Sequence, residues 1–176
     1  MKLPIIALIA LAVGGFVWAS AQNAQAATTI TPEVVARVRS RCVENQAALN
    51  RLHKTDAFIR TDRGNLYRTI SDKLMVPLNR RLASNRLDAG SLLTITSEYN
   101  SEYNRFYKAY IDYDTALSKV LDIDCSREPV AFYNALIDAR TKRDRVAESI
   151  VKIKDLIRQY GVAFTDFKTN YEKENP

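Results

Sequence analysis

From residue 32 onward, apolar residues recur at threes and fours along nearly the whole chain, the period of α-helices and not of strands. In the first stretch Val35, Val38, Cys42, Leu49, Leu52, Ile59, Leu66 and Ile70 mark one face, while Asn45, Asp56 and Arg63 place polar groups on or beside it. Leu74, Leu78 and Leu82 extend the stripe by fours. Thr31-Pro32-Glu33 supplies the start: a hydroxyl able to cap, a proline whose fixed φ suits the first position, and an acid that complements the helix dipole. Pro77 deletes a backbone donor and clashes with the preceding turn, so a kink or a split at Val76 is expected. Asn85 to Gly90 reads as a turn.

A second stripe opens near Ser91 and holds Ile95, Tyr99, Tyr103, Phe106, Tyr110, Tyr113, Leu117 and Val120 on one face, closing around Asp122-Ile123-Asp124. Glu128-Pro129 then marks the first turn of a third helix, whose stripe runs through Tyr133, Leu136, Arg140, Ala147, Ile150, Ile157, Gly161, Phe164 and Tyr171. It thins between Arg140 and Arg145, which leaves room for a break. With only five glycines and five prolines in 176 residues, breakers are scarce. The expected fold is all-α: an elongated, coiled-coil-like antiparallel bundle of three long helices at about 32–86, 91–121 and 128–172, forming a single domain over 27–176. Unbroken, such a rod reaches about 70 Å. Function then belongs on a long face or at the tips and not in a deep pocket.

The first 26 residues have another character. Lys2 precedes an apolar run from Leu3 to Ala19, and Ala24-Gln25-Ala26 offers small residues at the positions a signal peptidase reads, so residues 1–26 are expected to be a signal peptide cleaved after Ala26. The alternative is a retained membrane anchor; Pro4, Gly14-Gly15, the single preceding cation and the lack of a basic cluster after Ala26 argue against it. Either way the body is extracytoplasmic: periplasmic, on the cell surface or secreted. That compartment permits a disulfide between the two cysteines, Cys42 and Cys125. The layout leaves a length mismatch of about 13 Å between the arms that carry them, which a break at Pro77 or an extended approach to Cys125 absorbs. The expected bond closes a loop of 83 residues, contributes about 4 kcal/mol by chain entropy, and is structural because the pair is not C-x-x-C. Two separate buried thiols are the alternative.

Charge divides unevenly within the formal total of +6. Residues 32–86 carry twelve Lys or Arg against five acids, residues 91–124 three against six, and residues 127–176 ten against eight. Arg37, Arg39, Arg41, Arg51, Lys54, Arg60, Arg63 and Arg68 form a cationic strip suited to an anionic lipid, an envelope polymer or, less readily, nucleic acid. The competing and favoured expectation is that these cations pair with the acidic second helix and otherwise solvate the surface. The tyrosines, which include the repeat Ser97-Glu98-Tyr99-Asn100 and Ser101-Glu102-Tyr103-Asn104, read mainly as core. Tyr107 lies off the stripe and is the candidate exposed aromatic.

No catalytic, metal-binding or cofactor-binding constellation is legible. His53 is the only histidine, and neither a G-x-S-x-G nor an H-E-x-x-H pattern nor a phosphate-cradling glycine loop occurs. Glu98 with Glu102, and Asp122 with Asp124, are the only carboxylate pairs that an unrecognised hydrolase would use, and neither suffices alone. Haem ligation is disfavoured because His53 and Met75 fall on one helix.

Taken together, the leader, the early Cys42, the arginine-rich first helix, the Leu87-Asp88-Ala89-Gly90 turn and the later Cys125 with Phe132, Leu136 and Ala139-Arg140 resemble the uncharacterised exported helical proteins of reduced-genome candidate-phylum bacteria. That resemblance implies a cell-envelope or secreted protein and carries over no functional residues. A looser similarity, in export, size and basicity, is to periplasmic holdase chaperones with coiled-coil arms. The function expected is therefore a non-enzymatic exported helical protein that binds a protein partner or an anionic surface polymer through an extended face, with a holdase or a hydrolase as alternatives. A membrane is a partner only if the leader is retained, and the sequence leaves oligomeric state open.

Overall fold

The computed structural model describes residues 30–175, so the expected leader, its cleavage site and the anchor alternative lie outside the described residues. Those residues are almost entirely helical, with no strand among them. The elements are α1 (Pro32–Ser40), α2 (Cys42–Thr69), a π-helical stretch Ile70–Met75, α3 (Val76–Ser84), α4 (Gly90–Leu121) and α5 (Pro129–Glu174). No described helix is long and apolar enough to cross a membrane.

The start of α1 follows from its sequence: the Thr31 hydroxyl accepts from the Val34 amide and Pro32 occupies the first turn. The continuous helix expected over 32–86 is interrupted at Arg41, which leaves helical dihedrals at φ −109°, ψ 20° just before the tethered Cys42. Pro77 does not split the chain at Val76. It sits in the first turn of α3, and the Val76 amide reaches back five residues to the Ser71 carbonyl, so the missing donor and the ring clash are accommodated by widening the preceding turn.

α3 ends in a tight reversal. The Leu87 amide donates to the Leu82 carbonyl and the Arg86 amide to the Ala83 carbonyl, with Arg86 at φ 57°, a left-handed conformation that glycine usually supplies. α4 begins one residue before the expected Ser91. α5 runs unbroken through Arg140–Arg145, where the thin stripe leaves room for an interruption; Ala139 and Val146 keep the buried face continuous there.

α4 and α5 pack along one another, α2 lies against α4, and α1 touches α5. Side-chain links fix the direction of α2 relative to α4: Asn79 meets Thr96, Tyr67 meets Tyr99, Asp56 meets Tyr113 and Cys42 is disulfide-bonded to Cys125, so the two run oppositely. Below Tyr67 they advance in step, and the surplus length of the first arm is taken up between Tyr67 and Asn79, where the π-helical stretch lies. The Cys42–Cys125 disulfide has a Cα separation of 5.4 Å and is compatible with an extracytoplasmic location.

Tyr67, Met75, Leu92, Tyr99, Phe106 and Leu117 anchor the main core, joined by Ile153 and Leu156 of α5. A second cluster around the disulfide includes Ala116, Val120 and Phe132. Three positions assigned to the first stripe face solvent instead: Ile59, Leu66 and Leu74, the last 61% exposed. The inward face of α2 passes through Asp56 and Tyr67, one residue away from Leu66, and the π-helical stretch then turns Ser71 and Met75 inward. Arg140, Ala147, Gly161, Phe164 and Tyr171 of the third stripe are likewise exposed.

Candidate functional site

The most connected polar feature is at mid-length, where α2, α4 and α5 meet. Asp56 on α2 is buried, and its Oδ2 accepts 2.7 Å from the Tyr113 hydroxyl of α4 and 3.1 Å from Arg143 Nε of α5. Each partner responds to the arrangement. Burial first, and then the bond to Asp56, pushes the Tyr113 hydroxyl well above the ordinary tyrosine range, while the same carboxylate raises the Arg143 guanidinium further. The sequence marked Asp56 as a polar residue on an apolar stripe; the structure joins it to two other helices of its own chain. One turn earlier, His53 Nε2 lies 3.0 Å from Asp114 Oδ1, a second polar link between α2 and α4.

Beside Asp56 opens a cleft of about 250 Å³. Phe106, Tyr110, Val146 and Ile150 give it an apolar lining, and Arg60, Arg63 and Arg143 place three guanidinium groups around it. Arg60 stacks over the Tyr110 ring, 5.2 Å from its centroid, a cation–π contact that limits its freedom. The Tyr110 hydroxyl is buried without a hydrogen-bond partner, and burial raises its pKa to about 12. Toward the disulfide end, a groove of about 560 Å³ between α1, α2 and α5 is lined by Arg37, Arg41 and Arg140 with no carboxylate among its lining residues.

Of the eight cations of the first arm, seven are placed on α1 and α2 and Arg41 at the junction between them; seven of the eight are exposed, Arg60 being half-buried. Their expected pairing with the acidic helix is not found: among the described residues none of the eight lies within ion-pair distance of a carboxylate. Arg39 instead donates to the Ser126 carbonyl and Arg68 to the Asn65 side chain. The geometric reason is that α4 meets α2 through its buried tyrosines, and the acids nearest that contact are otherwise engaged: Glu102 faces Arg105 on its own helix, and Asp114 reaches α2 only at His53. Phe58, 75% exposed, and Val43 interrupt the cationic surface with apolar groups.

Of the carboxylate pairs, Glu98 is exposed and Glu102 is buried, so they do not present a shared face to solvent. Asp124 is committed to the turn before α5, where its Oδ1 accepts from the Ser126 and Arg127 amides. Tyr107 is half-exposed on α4, whereas Tyr99, Tyr110 and Tyr113 are core. Sequence reasoning missed Arg143 and the cleft; the one available signal was an arginine in the polar middle of the third stripe, with no indication of which helix it would face. No protein-family model, curated protein or solved structure matches this chain.

Proposed function

We propose that this protein is a non-enzymatic helical protein of the cell envelope or secreted space, built as an elongated antiparallel three-arm bundle, that holds an anionic polymer or an acidic partner along the α1–α2 face. One observation carries the reading: the cations of that face have no acidic partner within the described residues, so their charge is available to something else. A folded chain that spreads so many unneutralised arginines along one arm bears a repulsive cost, which an anionic ligand relieves by releasing its own counter-ions. The disulfide and the apparent leader support an extracytoplasmic setting.

The test is retention of the purified protein on an immobilised anionic polysaccharide across a salt series. Elution should move to lower salt when Arg37, Arg41, Arg51 and Lys54 are together changed to Gln, and the slope of log affinity against log salt should fall by about one for each ligand-bound cation removed. Passage of the unmodified protein through the column at low ionic strength, together with failure to crosslink to any envelope component in intact cells, would refute the proposal.

A further inference from the structure

We infer that the cleft beside Asp56 is a binding site for a small organic monocarboxylate with an apolar body. The cleft borders the α1–α2 face and shares Arg60 and Arg63 with it, but it lies between α2, α4 and α5 and takes a different ligand class. The charge balance sets the ligand's charge: Arg60, Arg63 and Arg143 face Asp56 and Asp144, leaving one net positive charge to be met. Arg143 spends Nε and Nη2 on Asp56 and keeps further donors of its five N–H groups unspent. Holding it by Asp56 and stacking Arg60 on Tyr110 orders two of the three guanidinium groups before any ligand arrives, which reduces the entropy cost of capture. Planar guanidinium groups match a carboxylate through paired N–H donors.

The remainder of the cleft selects the ligand's other end. Phe106, Val146 and Ile150 offer no polar group, so a hydrocarbon or aryl body gains by leaving water there. A volume of about 250 Å³ is that of roughly eight liquid waters at about 30 Å³ each, which admits a short-chain or single-ring acid and excludes a two-chain lipid. The Tyr110 ring, held under Arg60, adds further apolar surface to that wall.

Octanoate is the probe, with octanol and octylammonium as neutral and cationic controls of the same tail, titrated into the purified full-length protein by calorimetry. Saturable one-site binding of octanoate is expected, with octanol at least about tenfold weaker and octylammonium inert. Arg63→Gln should weaken octanoate by about tenfold or more. Ala147→Trp, at an exposed position lining the cleft, should abolish binding by filling it while circular dichroism stays unchanged. Lys154→Gln, outside both the cleft and the α1–α2 face, should leave octanoate binding intact. The inference is overturned if octanoate shows no saturation up to about 10 mM, if octylammonium binds as well, or if both Arg63→Gln and Ala147→Trp bind normally. Because Ala147→Trp keeps every charge, its retention on anionic polysaccharide should be unaffected, so loss of the cleft site and loss of the extended-face reading are read separately.

Discussion

Replacing Asp56 with Ala should destabilise the protein by about 2 kcal/mol, a figure assembled from its two partners. The Tyr113 hydroxyl is in the core and donates 2.7 Å to the carboxylate. A hydrogen bond to a charged group is worth roughly 1.5–3 kcal/mol, and leaving the hydroxyl unsatisfied adds to the loss. Arg143 contributes less. Its side chain is 52% exposed, so solvent screening holds that ion pair to at most about 1 kcal/mol. Against these stands the relief of no longer burying a carboxylate, which cancels part of the sum. A net loss of about 2 kcal/mol should lower Tm by about 4–8 °C for a chain of this size. Urea unfolding followed by circular dichroism, with the disulfide intact, measures it. Tyr113→Phe should cost about 1–2 kcal/mol, and the double variant should cost less than the two singles together by about 1 kcal/mol, because both remove the same bond. If Asp56→Ala is neutral within about 0.5 kcal/mol, or if the two costs simply add, the three-helix junction contributes nothing and the reasoning fails.

Three further outcomes follow from the fold. Arg86→Gly should stabilise by about 1 kcal/mol in thermal unfolding, since glycine removes the left-handed backbone cost at φ 57° that arginine bears there, less the extra freedom glycine has when unfolded. Changing Cys42 and Cys125 together to Ala should cost about 4 kcal/mol in urea unfolding relative to the oxidised protein, from the 83-residue loop that is freed. At alkaline pH the buried hydroxyls of Tyr67, Tyr99, Tyr110, Tyr113 and Tyr160 have native pKa values above their ordinary value of 10.0. The stability they contribute is complete below pH 10 and is lost as pH rises through the native values, that of Tyr110 being about 12; tyrosinate absorbance of these rings should appear together with loss of helical signal, and their ionisation in the fully folded protein would contradict the burial.

The second stripe was the most legible because a single uninterrupted helix keeps its period: Tyr99, Phe106, Tyr110, Tyr113, Leu117 and Val120 are all buried in α4, with Ile95 and Tyr103 half-buried at its margins. The cysteine pairing was legible too, since two thiols leave one intramolecular choice once an oxidising compartment is expected from the leader. The first arm was read less well. The inward face of α2 already runs through Asp56 and Tyr67, so the apolar count that chose Ile59 and Leu66 was off before Ile70, and the π-helical stretch then brings Met75 inward in place of Leu74. The interruption at Arg41 has no local signal, because arginine is a good helix former. The clash expected at Pro77 was real, yet a wider turn relieves it as well as a break does, and local chemistry does not distinguish the two. Charge was the least legible property. Net signs along the chain suggested pairing between the basic first arm and acidic α4, but pairing depends on which way each side chain points around its helix, and the faces that meet are aromatic.

The disulfide also determines how the molecule would carry tension. Residues 42–125 form a covalent ring, with α1 entering at Cys42 and α5 leaving just after Cys125. Pulled from its two ends, the oxidised chain transmits force straight through the sulfur bridge, so α2, α3 and α4 bear no load along their backbone. What yields is α5, which must shear off α4 along its length, and the extension gained is only that of the segments outside the ring. Reduction puts the 83-residue span back into the force path and lets the first arm peel away from the reversal at Arg86. Held by its two ends, the protein would be a short, stiff link when oxidised and a long, compliant one when reduced.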